Sequence, residues 1–416
     1  MPAYTGCSSP RLGLIPTNLN AAQRARRRAG RLAGSRHLAR AAVKGFARRL
    51  ALTLARLSEQ VWYQGHWLGT LLAPLGGLYC ASARLRRWAY ARGWLASHAV
   101  SVPVIVVGNL TVGGTGKTPL VLWLAEHLIA RGERPGIVLR GYGAPGSERG
   151  GKTARRPRRV TGDADPSEFG DEAVLLAQRA RCPVVVGRDR VAAARVLVEE
   201  FGCNRVLSDD GLQHERLRRQ LEILVVDGLR GFGNGRCLPA GPLREPIARR
   251  HEVDLVINNG GPGADETADA DGIADADGGA NTDGFQMQLE PGAAVNLRDP
   301  ACQRASASWF GQPVTAVAGI GHPQRFFALL RGFGLEIEPR PYPDHHRFNA
   351  ADLEHWPKGP VLMTEKDAVK CRAFAGPDQW FVPVTAVPGA AFVDALDAAL
   401  DQLGDRLGDF PGGTDD

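Results

Sequence analysis

The stretch VPVIVVGNLTVGGTGKTPLVLWLAEHLIAR constrains this 416-residue chain more than any other feature. Val102–Gly108 is a continuous apolar run, the pattern of a strand buried on both faces. From Thr118 the apolar residues recur at helical spacing, with Pro119 in the first turn, where its missing N–H costs little, and Gly132 just past the end. Between strand and helix lie Thr111, Val112, Gly113, Gly114, Thr115, Gly116, Lys117 and Thr118, ending as a Walker A loop does. Glycines let backbone N–H groups turn inward around phosphate oxygens, and the helix start adds its positive end. Lys117 is placed to reach β/γ-phosphates, and the Thr118 hydroxyl to coordinate Mg²⁺. The strict pattern G-x-x-x-x-G-K-[ST] asks for glycine where this chain has Thr111. The strand before the loop and the helix after it therefore carry the reading, a loop that binds a nucleotide.

Beyond the loop, short β-branched runs alternate with helical segments: GIVLRGYG, CPVVVG, DRVAAARVLVEEFG, NRVLSDDG, LEILVVDG and VDLVINN. Apolar strands separated by helices predict an α/β fold, a P-loop NTPase-like parallel sheet with helices on both faces, over residues 101–259. Residues 260–284 are nearly all Gly, Ala, Asp and Thr without periodicity, the composition of a flexible insert and not of a calcium loop. PVTAVAGIG, PVLMTEKD and WFVPVTAV then predict a smaller C-terminal α/β domain over 285–416.

The formal charge of +7 belongs to the N-terminus. Residues 1–50 hold eleven Lys/Arg and no Asp/Glu, so the rest of the chain is slightly acidic. Residues 1–55 read as a basic, disordered extension that could equally be drawn to an anionic surface. The basic segment lacks any nucleic-acid reading module, so no nucleic-acid partner is expected. Seven scattered cysteines with no C-x-x-C pair fit neither a disulfide framework nor a zinc site. From Gln60 to Ala83 there is no charged residue, yet Gln64, His66, Pro74 and Gly76–Gly77 interrupt the run, and basic residues flank both sides. Trp62, Trp67, Trp88 and Trp94 lie among tyrosines and arginines here. That mixture suits an N-terminal amphipathic helix over 56–100 lying on a membrane, better than one crossing it.

A P-loop needs a carboxylate on a neighbouring strand for its metal, and RVLSDDGLQH offers Asp209 and Asp210, though paired aspartates at a strand end also suit a turn. Asp171 and Glu172 in FGDEAVLLAQ sit at a helix start, as caps or as catalytic groups. PYPDHHRF presents Asp344, His345 and His346 in a proline-bounded loop. Pro242 and Pro246 fix the backbone around Arg244 and Glu245, and Arg244, like Arg140 in LRGYG, suits either recognition of a second phosphate or an ordinary surface role.

VGNLTVGGTGKTP, LRGYG, GDEA, GRDR, DDGLQH, LPAGPLREP, AGIGHPQRFF, PDHH and TEKD occur here in the order seen in tetraacyldisaccharide 4′-kinases of Gram-negative lipid A biosynthesis, which this chain resembles from about Leu57 to Leu396. Thr111 is no departure within that family. The resemblance implies transfer of phosphate from ATP, with Mg²⁺, to the 4′-hydroxyl of an acylated disaccharide lipid, tetraacyldisaccharide 1-phosphate. It also implies a peripheral, monotopic protein on the cytoplasmic face of the inner membrane, with no obligate protein partner. Asp171 takes the place of the catalytic aspartate and His345 that of its partner, with Lys117 on the phosphates. Thr118, Asp209, Asp210 and Glu172 are implied at the metal. Arg140, Arg190, Arg244 and Glu245 match motif positions on the substrate side, and His214 and Lys366 match without an assigned role.

Two other readings compete. GTPases read guanine with N-K-x-D, which TEKD does not match. The partitioning ATPases carry a lysine where this chain has Val112. A membrane-associated P-loop ATPase switch without a lipid acceptor is the remaining alternative.

Overall fold

A computed structural model describes residues 53–54, 56–141, 156–260 and 284–405. The basic residues 1–50 and almost all of the 260–284 stretch lie outside the described residues. The chain divides into two units, Met1–Leu57 and Ser58–Asp416, and the second carries the architecture that follows.

In chain order its strands are β1 (Val104–Gly108), β2 (Pro135–Leu139), β3 (Arg158–Val160), β4 (Val184–Val186), β5 (Arg205–Asp209), β6 (Leu221–Asp227), β7 (Leu255–Asn259), β8 (Phe285–Pro291), β9 (Ala294–Asn296), β10 (Gln303–Arg304), β11 (Val314–Ala318), β12 (Ile337–Pro341), β13 (Val361–Thr364), β14 (Gln379–Val382) and β15 (Val384–Pro388). The main helices are α1 (Ala73–Ala91), α2 (Lys117–Ala130), α3 (Asp171–Arg179), α4 (Arg190–Glu199), α5 (Pro323–Gly332), α6 (Glu365–Cys371) and α7 (Ala390–Asp405).

Nine strands form the larger sheet in the order β15-β8-β7-β6-β1-β5-β2-β4-β3. Those from β8 to β4 run parallel, and β15 and β3 are antiparallel edges. Every residue of β1, β2, β4 and β5 is buried, as the unbroken apolar runs predict. Alternation sorts β1 between two cores. Ile105 and Val107 meet α2 and α3 on one face, and Val104 and Val106 meet α4 on the other. Because β5 and β6 flank β1 on opposite sides, the loop leaving β1 opens at the point where strand order reverses, where open α/β sheets bind their ligands.

The smaller sheet, in the order β10-β9-β14-β13-β11-β12, spans residues 294–382. It begins later than the boundary expected at 285. β8 and β15, on either side of it in sequence, pair with each other in the larger sheet. From β15 the chain runs into α7, whose Phe392, Leu396 and Leu400 recur every fourth residue and complete the core over α2. The smaller sheet is therefore an excursion from the larger fold, tied down at both ends.

The charge-free segment is not one continuous helix. It turns at Gly65, where φ is +70°, before a short helix Leu68–Leu71 and then α1. A Cβ on Gly76 would lie 2.8 Å from the Cys237 carbonyl oxygen and 2.9 Å from Ala240 Cβ, so small residues let α1 dock closely on the α/β core. Trp67, Leu71, Leu75, Leu78, Leu85 and Trp88, spaced three, four or seven apart, face outward. The docked face is small and the outer face apolar, the reverse of an ordinary surface helix.

Candidate active site

The phosphate loop is shaped by buried amides on both of its sides. Asn109, fully buried after β1, donates to the carbonyls of Thr111 (2.8 Å) and Gly113 (3.3 Å), and its Oδ1 accepts from Lys117 Nζ at 3.0 Å. On the other side Asn259, at the end of β7, donates to the Thr115 carbonyl at 2.8 Å. Gly116 has φ +91°, and a Cβ there would lie 2.3 Å from Asn259 Nδ2, so only glycine fits both the backbone and the space. Val112 N–H donates to the Pro242 carbonyl (2.9 Å) and Arg244 N–H to the Leu110 carbonyl (2.7 Å), laying the LPAGPLREP loop alongside.

At the end of β5 the two aspartates have different surroundings. Asp210, held at φ +50°, lies 3.5 Å from Lys117 Nζ, and both its oxygens accept from Arg244 Nη1 at 3.0 Å. Burial acts to raise its pKa, but the Lys117 and Arg244 charges hold it well below the usual carboxylate range. Asp209 is 4% exposed, and its Oδ1 has no hydrogen-bond partner. Burial, with the Glu172 charge adding and Lys117 opposing, pushes it up to about 7. A buried carboxylate oxygen without a donor is costly unless a cation meets it. Among the described residues no three His, Cys, Asp or Glu side chains are gathered into a metal cage. Mg²⁺ does not need one, since it is commonly held by one or two carboxylates together with phosphates and waters. Asp209 fits that requirement, whereas Asp210 is already engaged by two cations.

Facing this corner is a second cluster. Asp171, 6% exposed, starts α3 behind Gly170, whose φ is +92°. His345 Nδ1 lies 3.2 and 3.1 Å from its two oxygens. Burial acts to raise Asp171, but the His345 hydrogen bond and the Lys366 and Lys370 charges bring it down to about 2. The same bond raises His345 above its ordinary value, against partial burial. His345 itself has φ +55°, an uncommon backbone for a non-glycine residue and one that gathers at functional sites. Lys366 Nζ bridges Glu172 (2.9 Å) and Asp344 (3.4 Å), and Lys370 Nζ lies 3.7 Å from Asp171 Oδ2. Glu172, expected at the metal, is thus paired with a lysine, though its charge is felt at Asp209. His346 turns away into an aromatic group with Tyr342 and Phe348.

Two residues expected on the substrate side are buried instead. Arg190 is 3% exposed and donates to Ser208 Oγ at 2.9 Å. Glu245 is 4% exposed and lies 3.6 Å from Arg249. His214 is likewise interior, and burial with the Arg190 charge lowers it to about 4, so it stays neutral. Arg244 remains at the corner, partly exposed, and Arg140 is exposed at the end of β2. Asn109, Asn259 and Arg325 were not anticipated. Asn109 and Asn259 share a sequence signal, a polar residue closing an apolar strand, and Arg325 lies within AGIGHPQRFF.

A strand–glycine loop–helix on a parallel sheet, with acidic residues ending the adjacent strand, defines a P-loop nucleotide-binding protein. The sequence profile of the tetraacyldisaccharide-1-P 4′-kinase family matches residues 68–401. The tetraacyldisaccharide 4′-kinase of Alkalilimnicola ehrlichii is 49% identical, over 81% of this chain and 94% of that protein. That of Pseudomonas aeruginosa is 46% identical, over 82% and 96%. A solved structure, LpxK of Aquifex aeolicus in complex with ATP, matches in fold with a TM-score of 0.62 at 24% identity, covering 81% of this chain and 99% of that one. The chain belongs to the tetraacyldisaccharide 4′-kinase family.

Proposed function

We propose that this chain phosphorylates the 4′-hydroxyl of tetraacyldisaccharide 1-phosphate with the γ-phosphate of ATP, forming lipid IVA in lipid A biosynthesis. Family membership supports the reaction. The observation that carries the site is the meeting of its two clusters, where a Cβ on Gly321 would lie 3.4 Å from Asp344 Oδ2, beside His345, and 3.7 Å from Gly114 N in the phosphate loop.

In this reading the loop N–H groups and Lys117 hold the β- and γ-phosphates, and Arg244 and Arg140 stand on the anionic side of the site. Asp209 and Thr118 would hold Mg²⁺, which when bound neutralises charge on the phosphates and so favours the transition state. Asp171 accepts the proton of the 4′-hydroxyl as that oxygen attacks the γ-phosphorus and the bond to the ADP oxygen breaks. A carboxylate near 2 is a weak base and keeps the proton only briefly. His345, raised by the same contact, is the group on which it comes to rest. Most of the rate comes from charge stabilisation by Lys117 and the metal, with proton removal contributing about 10²–10⁴-fold.

The outward stripe from Trp67 to Trp88 is read as the surface that lies on the inner membrane, on its cytoplasmic face, where ATP is available. No helix among the described residues is long and apolar enough to cross a bilayer, which supports a peripheral attachment. Release of ADP by the purified protein, measured with and without the lipid acceptor in detergent, tests the reading. A kinase releases ADP only when the lipid is present. Equal release without lipid points to an ATPase switch and overturns the proposal.

A further inference from the structure

Besides the His345–Asp171 and Lys366–Glu172 contacts, one guanidinium also ties the smaller unit to the larger sheet. Arg325, on α5, donates from Nη2 to both the Asn259 carbonyl (3.0 Å) and Asn259 Oδ1 (2.8 Å), and its Nη1 lies 3.3 Å from Asp227 Oδ2. Asn259 in turn donates from Nδ2 to the Thr115 carbonyl within the phosphate loop. Arginine has donors and no acceptor, so it can only face the carbonyl end of the Asn259 amide. That contact fixes which end of the amide turns toward Thr115. With the amide reversed, Oδ1 would face the Thr115 oxygen, and two acceptors would oppose each other. Asn259 is fully buried, so no bulk water relieves that conflict. The loop before α5 also lies against the phosphate loop, with a Cβ on Gly321 falling 3.7 Å from Gly114 N.

We propose that Arg325 is a positioning residue for ATP: through Asn259 it holds the Thr115–Gly116 turn in its phosphate-binding shape and makes that shape depend on docking of the smaller unit. The inference rests on the kinase reading above. It has a consequence that a merely structural role lacks, because the effect falls on the nucleotide and not on the lipid.

The test uses the full chain with ATP and tetraacyldisaccharide 1-phosphate. Arg325→Ala raises KM for ATP about tenfold, the equivalent of losing one buried hydrogen bond, and leaves KM for the lipid within about twofold. Arg325→Lys, which keeps a donor, recovers most of that loss. Asn259→Asp keeps the contact with Arg325 but cannot donate to Thr115, so KM for ATP rises. The Arg325→Ala/Asn259→Ala double variant is no worse than Asn259→Ala alone, since both act on one contact. An unchanged KM for ATP in folded Arg325→Ala, or additive losses in the double variant, overturns the proposal. If the wild type transfers no phosphate to the lipid, the kinase reading has failed, and equilibrium binding of ATP then decides this one. About tenfold weaker binding by Arg325→Ala supports it, and equal binding overturns it.

Discussion

Gly116→Ala examines the phosphate loop where it is most tightly specified. The residue adopts φ +91°, and a Cβ would stand 2.3 Å from Asn259 Nδ2, 3.1 Å from Asn259 Cγ and 3.3 Å from Met287 Cε. Left-handed backbone costs an alanine about 1–2 kcal/mol. Asn259 cannot keep its place against the new methyl group, so its bond to Thr115 is lost at about 1 kcal/mol more. Together these are about 2–3 kcal/mol, or about 30- to 150-fold in ATP affinity if the loop must be restored for the nucleotide to bind. KM for ATP at saturating lipid measures the effect, with the melting temperature as a check that the protein is folded. A folded variant whose KM for ATP stays within about threefold of wild type would show that the loop does not need this turn, and the argument from Gly116 and Asn259 would be wrong.

Three further outcomes are expected. Asp171→Ala keeps ATP binding and lowers turnover by about two to four orders of magnitude; turnover like that of the wild type would remove Asp171 as the base. The Asp171–His345 contact raises the pKa of His345, so its stabilisation is complete below the ordinary histidine value of 6.5 and is lost as pH rises through the higher folded value. For Asp171, brought down to about 2, the stabilisation is complete above its ordinary value of 3.8 and is lost as pH falls toward 2. His345→Ala should therefore lower the melting temperature most between those two ordinary values and progressively less in alkali, and a constant difference across that range would contradict the pairing. Leu71→Glu, Leu75→Glu and Leu78→Glu together place charges on an exposed face, so folding should hold while binding to anionic phospholipid vesicles falls; unchanged sedimentation with vesicles would refute the membrane reading.

What the sequence made legible was local. Val104–Gly108, the glycines and Lys117–Ala130 follow one another directly, and each element announces itself by apolar period or backbone need. Position in depth was not legible. Arg190 and Glu245 look like surface residues in a motif, and only packing shows one against Ser208 and the other beside Arg249. His345 and His346 are adjacent and chemically identical, yet one meets Asp171 and the other an aromatic group. The bond from Asn259 to Thr115 joins residues 144 apart, and no pattern within either segment foretells it. The uncharged run Gln60–Ala83 marked the apolar segment, but its direction of facing depended on where Gly76 meets Cys237.

The most direct test of the account follows the γ-phosphate itself. Purified protein is given γ-labelled ATP and tetraacyldisaccharide 1-phosphate in detergent, with Mg²⁺ and with the metal chelated. The account predicts a labelled bisphosphorylated lipid that forms only with the metal and carries its new phosphate on the 4′-oxygen. Label appearing as free phosphate with none in the lipid, or in a lipid formed equally well without metal, would contradict it.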